Sequence, residues 1–332
     1  MSLSRPEILR KSAALRRLVR ETQLRTDDLV LPLFLSSESR GAKEISSLPG
    51  VHQWSVEASM EFVEKQIQKG IRSFMLFGLV PQGEKKSDGS PAWDLKGPVP
   101  EALRRYRKTF GDVNLFADTC FCEYTDHGHC GPLKPASGAT VLRDAEPTLR
   151  GLGLMAQAYA EAGANVIAPS GMVDGMVRTI RTALDQSHFG DVAICSYAVK
   201  YASQFYGPFR EAAQNAPTHG DRRTYQMDIA NRREALREID LDLQEGADMI
   251  LVKPALPCLD IVREAHDRTS VPVGAYHVSG EYAMVKAAAQ RGWLDEVGVF
   301  SESLISMKRA GAQFIVTYCA PEAAQWIGEG RL

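Results

Sequence analysis

The hydrophobic positions of this chain fall into short unbroken runs, separated by longer stretches in which apolar residues return every three or four places. The runs are Leu29–Leu35 (LVLPLFL), Ile71–Phe77, Val113–Ala117, Asn165–Ala168, Val192–Val199, Met249–Val252, Val271–Val278 and Gln313–Thr317. Runs of this length, bounded by turn residues, predict strands buried on both faces. The stretches between them predict helices at about Val56–Lys69, Pro98–Phe110, Asp144–Ala162, Asp174–Gln186, Asn231–Glu245, Leu259–Arg268, Glu281–Gln290 and Glu296–Ala310, with a short last helix at Glu322–Ile327. Gly70, Gly163 and Gly246 stand where helices stop. Residues 36–54 and 80–96 read as loops.

Strands alternating with helices imply a parallel sheet. Eight such repeats without an internal linker fit a closed (β/α)8 TIM barrel better than an open α/β sheet. An open doubly wound sheet that binds a dinucleotide lacks support, because no G-x-G-x-x-G turn follows any of the runs. Residues 27–332 are therefore expected to form a single barrel domain. Residues 1–26 carry Arg5, Arg10, Lys11, Arg16, Arg17, Arg20 and Arg25 against Glu7 and Glu21. Such a segment is either a transit peptide or a basic arm that packs on a partner subunit. The arm is the expectation, because Thr26-Asp27-Asp28 leads at once into the first strand.

Composition narrows the partners. The chain has 332 residues, 44% hydrophobic and 24% charged, with a formal net charge of −2. That balance gives no electrostatic case for nucleic acid or membrane. No apolar run approaches the roughly 18 residues of a membrane-spanning helix. Six cysteines in a chain of this length argue for a reducing, cytoplasmic setting and for metal or catalytic roles.

In a barrel of this kind the chemistry collects at the C-terminal ends of the strands. Met249-Ile250-Leu251-Val252-Lys253-Pro254 runs from apolar residues straight into a lysine, and the run from Val192 ends likewise on Lys200. An amine at such a point is partly desolvated, and two amines in one mouth disfavour each other's charge. Both effects leave an amine neutral near pH 7 and able to form a Schiff base. Asp118, Ser170, Tyr276 and Tyr318 stand on other strand ends. Cys120, Cys122 and Cys130 follow Asp118 at C-x-C-x7-C spacing. Thiolates suit zinc, and three protein ligands leave a fourth position open, although His127 or His129 could close the site instead. The long polar segment Tyr201–Tyr225 reads as a lid carrying Tyr206, Arg210, Arg222 and Arg223, arginine being the residue that clamps carboxylates.

Several of these segments resemble one family. Ala168-Pro169-Ser170, Ser196 to Tyr201, Phe205 to Arg210, Gly220-Asp221-Arg222, Tyr225-Gln226-Met227, Met249 to Pro254, Val278 to Tyr282 and the three-cysteine loop are similar to the porphobilinogen synthase (5-aminolevulinate dehydratase) family. The resemblance spans nearly the whole chain. It implies a zinc-dependent barrel enzyme that condenses two molecules of 5-aminolevulinate to porphobilinogen in tetrapyrrole synthesis. By motif it implies that Lys253 forms a Schiff base with the first substrate and that Lys200 holds or activates the second. It further implies that Cys120, Cys122 and Cys130 bind Zn2+ and that Asp118 is an acid–base group. Arg210 and Arg222 match one carboxylate clamp, Ser279 and Tyr318 the other, with Ser170, Tyr206 and Tyr276 as further substrate contacts. Glu238 matches a position that binds allosteric Mg2+ in some members, and the arm implies a homo-octamer. Gly171, Ile229, Cys258 and Cys319 depart from the family's common residues, and the two cysteines are expected to raise the risk of oxidation. A class I aldolase and a non-catalytic zinc-stabilised assembly protein are the alternatives.

Overall fold

The apolar runs form strands and the periodic stretches form helices, in the alternation that the sequence predicts. The structure is a computed structural model and describes residues 4–38, 40–135 and 140–332. The first strand is β1 (Leu29–Ser36), followed by a short pair, β2 (Ala42–Glu44) and β3 (His52–Trp54). Then come α2 (Val56–Gln68), β4 (Ser73–Leu79), α3 (Pro98–Phe110), β5 (Asn114–Thr119), α4 (Ala145–Ala162), β6 (Val166–Pro169), α5 (Met176–Gln186) and β7 (Ala193–Lys200). The second half runs α6 (Gly207–Ala212), α7 (Arg232–Gln244), β8 (Met249–Lys253), α8 (Leu259–Arg268), β9 (Val273–His277), α9 (Ser279–Gln290), α10 (Glu296–Ala310), β10 (Phe314–Thr317) and α11 (Ala320–Gly328). A short arm helix, α1 (Ala13–Leu18), precedes them all and buries none of its residues. Residues 1–3 of the arm lie outside the described residues.

Parallel pairing runs β1-β4-β5-β6-β7-β8-β9-β10, and β10 pairs back onto β1, which closes an eight-stranded barrel among the described residues. β1 and β4 are buried along their whole length, as strands covered by side chains inside and helices outside must be. Pro32 sits inside β1 without breaking it. On the edge away from β4, β1 pairs with β10 at Leu29–Val30 and with β3 at Phe34–Leu35. Pro32 falls between those partners, where no ladder N–H is required.

Helix ends follow local chemistry. Ser55 Oγ accepts from Ala58 N at 3.2 Å to start α2, and Asp295 caps Gly298 N to start α10. Gly163 and Gly311 end α4 and α10 at φ +106° and +117°, a backbone region that side chains with a Cβ avoid.

The structure corrects the reading of residues 36–54 as a loop. They contain the β2–β3 hairpin, whose exposed β2 carries none of the apolar alternation that marks a strand. The polar segment after β7 likewise contains α6. Packing inside the barrel is tight enough to require glycine at one point. Gly274 of β9 lies in register with Leu251 on one side and Phe314 on the other. A Cβ there would come 2.3 Å from the Phe314 ring and 2.7 Å from Leu251 Cδ1. Gly274→Ala is expected to cost about 1–3 kcal/mol of stability by overpacking, seen as a lower denaturant midpoint. An unchanged midpoint would mean that Phe314 can move clear.

Candidate active site

Two lysines meet at the mouth of the barrel because β7 carries one extra residue. Cys195 and Ser196 pair with Met249 and Ile250, but Val199 and Lys200 pair with Val252 and Lys253. The register shift between Ser196 and Val199 is a β-bulge. Without it Lys200 would lie opposite Pro254. With it the two lysines are direct neighbours, and neighbours in register share one face.

Lys253 is buried, with its amine among aromatic rings. Its Nζ lies 3.9 Å from the ring centre of Tyr276, 5.0 Å from that of Phe209 and 5.3 Å from those of Tyr197 and Tyr206. Burial, then the charge of Lys200, lowers its pKa to about 7, against the pull of Asp118. Lys200 Nζ donates to Ser170 O at 2.6 Å, and Ser170 Oγ donates to Asp118 Oδ2 at 3.2 Å. Burial and the neighbouring Glu123 push the Asp118 carboxyl up to about 7, although both lysines oppose the shift. The other oxygen of Asp118 is buried without a hydrogen bond.

Beside this pair the three cysteines gather into one cluster that could hold a metal ion. Cys120, Cys122 and Cys130 are buried, and their sulfurs lie within 4.8 Å of one another. That separation suits sulfurs at about 2.3 Å from one tetrahedral zinc. Hydrogen bonds from Cys120 and Cys122 hold the Cys130 thiol well below its usual value, so the cluster already favours one thiolate. The structure also answers what His127 and His129 do. His129 Nε2–H donates to His219 O and its Nδ1 accepts from Tyr225 OH, each at 3.0 Å. His127 Nδ1 accepts from His129 N at 3.1 Å, and its Nε2 donates to Ser87 O at 3.2 Å. Both rings brace the loop, so neither completes the cysteine cluster.

The segment after β7 covers the site and brings its arginines. Arg222 is buried, and its Nη2 donates to Gly128 O and Asn215 O at 2.8 and 2.7 Å. Its Nε and that of Arg210 are buried without a partner. Burial, then the charge of Arg222, lowers the pKa of Arg210. Two neighbouring guanidinium groups with unused donors make a place for an anion. Asp118, Cys122, Ser170, Lys200, Tyr206, Arg222 and Lys253 line a single narrow cavity with Phe77, Glu123 and Phe209. Tyr276 and Tyr318 lie outside that lining, with their hydroxyls 3.4 Å apart. Ser279 lies one step behind Phe209. Its Oγ accepts from Phe209 N at 3.0 Å and donates to Phe205 O at 3.2 Å.

Glu238 stands apart. It lines a separate cleft of about 430 Å³ with Asp174, Glu234, Arg143 and Tyr225. Burial and the neighbouring carboxylates raise its pKa. Three site residues escape sequence reasoning. Glu123 lies inside the cysteine motif, but nothing in the sequence separates it from a surface acid. Asn215 Nδ2 donates to Cys122 Sγ at 3.2 Å and to Glu123 Oε1 at 3.0 Å, and no motif announces it. Tyr197 places its ring 5.3 Å from Lys253 Nζ, and in the sequence it is one more apolar position of a buried run. The expected oxidation risk at Cys258 and Cys319 is also corrected. Both are buried, and burial pushes both thiols up to about 12, which makes them inert.

Comparison with known proteins agrees with this geometry. The family described as Delta-aminolevulinic acid dehydratase matches residues 3–326. A protein of that description from Halalkalibacterium halodurans is 49% identical over 99% of this chain and 98% of its own length. One from Synechocystis is 51% identical over 97% of this chain and 98% of its own. A crystal structure of the Toxoplasma gondii delta-aminolevulinic acid dehydratase, in complex with the reaction product porphobilinogen, superposes with a TM-score of 0.96 at 40% identity. It covers 99% of this chain and 92% of that one.

Labelling by a small ketone and borohydride is expected to single out Lys253. Its rate should climb about tenfold per pH unit below 7, as the neutral amine forms, and level off above it. An ordinary exposed lysine would keep gaining to about pH 10. Lys253 labelling that also rises to that pH would refute the lowered pKa.

Proposed function

Because this chain belongs to the delta-aminolevulinic acid dehydratase family, we propose that its two substrate molecules meet in the cavity at the barrel mouth, with Lys253 as the covalent anchor. The reaction is the family's: this lyase condenses two molecules of 5-aminolevulinate, with loss of water, to porphobilinogen, on the route to haem and other tetrapyrroles. That activity removes the aldolase and non-catalytic readings. The observation that carries the assignment of Lys253 is its buried amine, lowered to about pKa 7 within a ring of aromatics.

A neutral amine at neutral pH can attack the keto carbon of the first substrate, leaving water and an imine on Nζ. Lys200, next in register, holds or activates the second. Asp118 is read as the group that exchanges protons with the amines, a reading supported by a pKa that burial raises to about 7. The unused donors of Arg210 and Arg222 suit the carboxylate of one substrate. Ser279 and Tyr318 take that of the other. Ser170, Tyr206 and Tyr276 are read as further substrate contacts.

Cys120, Cys122 and Cys130 would hold Zn2+, which when bound supplies a Lewis acid with an open position for a substrate oxygen or water. Arg222 tolerates its burial because the cysteines, Cys130 foremost, more than offset the desolvation of its charge. Glu238 is read as a Mg2+ ligand in its separate cleft. The arm, residues 1–26, exposes Ile8, Leu9, Leu18 and Val19. We read it as the element that joins copies into a homo-octamer. No helix among the described residues is long and apolar enough to cross a membrane, and a cytoplasmic enzyme is the reading that fits its cysteine chemistry.

Borohydride added with 5-aminolevulinate should trap an adduct on Lys253, and Lys253→Ala should lose more than about a thousandfold in kcat. An adduct found only elsewhere, with Lys253 free, would sink the assignment. Chelation should abolish porphobilinogen formation, and zinc alone should restore it. Full activity in protein shown to be metal-free would mean that the cysteines do another job.

A further inference from the structure

Glu281 belongs to no part of the site described so far, yet it touches two of its supports. It is fully buried at the third position of α9. Its Oε2 accepts from Val278 N at 2.6 Å, the return bond by which a glutamate in a first turn caps its own helix. That bond alone would be ordinary. Oε1 makes a second one, from Leu256 N at 2.8 Å, to a backbone group 25 residues earlier in the chain. Leu256 lies three residues beyond Lys253, in the turn where β8 leaves the barrel. A cap does not need that bond.

The other end of the tie bears on the lid. Val278 is followed by Ser279, whose hydroxyl holds Phe205 O and Phe209 N. Next comes Gly280, where a Cβ would lie 2.6 Å from Phe205 O. The lid backbone therefore rests directly on this first turn. Phe209 and Tyr206, carried by that part of the lid, form half of the aromatic surround of the Lys253 amine. One carboxyl group thus holds the turn behind the amine and the seat of the rings in front of it. Burial raises the Glu281 carboxyl to about 8 against the pull of these two bonds, and their exclusion from water makes them directional.

We propose that Glu281 is a positioning residue for this reaction: by joining the turn after Lys253 to the first turn of α9, it sets the placement of the Lys253 amine against the lid. The proposal rests on the reading of Lys253 as the covalent anchor.

The test compares wild type, Glu281→Gln and Glu281→Asp as zinc-loaded full-length protein. The measurements are kcat and KM for 5-aminolevulinate, melting temperature, and both the rate constant and the final extent of borohydride trapping on Lys253. Glutamine keeps the shape but can accept only one of the two N–H groups. Aspartate keeps the carboxyl group and can still cap Val278, but is one methylene too short to reach Leu256 as well. Both variants should lose tenfold or more in kcat and in the trapping rate constant. KM should move less than threefold, and the final extent of trapping should match the folded fraction. Wild-type rate constants with only a lowered melting temperature or a reduced extent would reduce Glu281 to a structural cap and overturn the proposal. If Glu281→Gln does not fold, Glu281→Asp decides alone, because it leaves the helix cap in place. A wild-type enzyme that traps substrate elsewhere than Lys253 would refute the anchor rather than the tie.

Discussion

Two primary amines side by side, out of water, are the constraint from which the mouth of this barrel follows. Keeping a proton on Lys253 costs about 5 kcal/mol relative to solvent, from a pKa that falls from 10.5 to about 7. The native state bears that cost in full below pH 7. Above it the folded amine is neutral while the unfolded one still binds a proton, so this residue's penalty shrinks as pH rises toward 10.5. No surface lysine imposes such a burden. The surroundings impose it and partly offset it: rings rather than water around Nζ and a second amine in register lower the pKa, and the Asp118 carboxyl on β5 opposes them. The same arrangement makes the amine a nucleophile at neutral pH.

The lid is held at both ends, by different chemistry. Its start rests on Ser279 and Gly280. Its far end is bonded to the cysteine loop, through Asn215 on Cys122 and Glu123, Arg222 on Gly128 O, Thr218 N on His127 O and His129 on His219 O. Lys85 adds a bond to Gln214 O at 2.6 Å. Arg210, Tyr206 and Phe209 lie between these anchorages. Order in the cysteine loop is therefore order in the cover of the cavity, and the proposed zinc and the proposed carboxylate clamp share one scaffold.

Much of this was legible in the chain. The eight barrel strands are continuous apolar runs because both faces are covered, and the lysines, cysteines and arginines stand out by type and spacing. What stayed hidden depends on pairing. The β2–β3 hairpin is short and exposed, so burial wrote no alternation into it. Glu123, Asn215 and Glu281 are ordinary polar residues until the fold encloses them. His127 and His129 have the right type for metal ligands, and only their hydrogen bonds show them bracing the loop. The cysteines at 258 and 319 look reactive by position, and their depth removes that reactivity.

The bulge in β7 separates two kinds of change that a chain can undergo. Side chains between Tyr197 and Lys200 can be exchanged for others of similar volume while the count of residues stays the same. Losing or gaining one residue there would turn Lys200 to the opposite face, although every side chain of the site remained in the sequence. In this segment length carries the information and identity is secondary. Relatives of this enzyme should therefore tolerate point changes here while excluding insertions and deletions, the reverse of the freedom found in its surface loops.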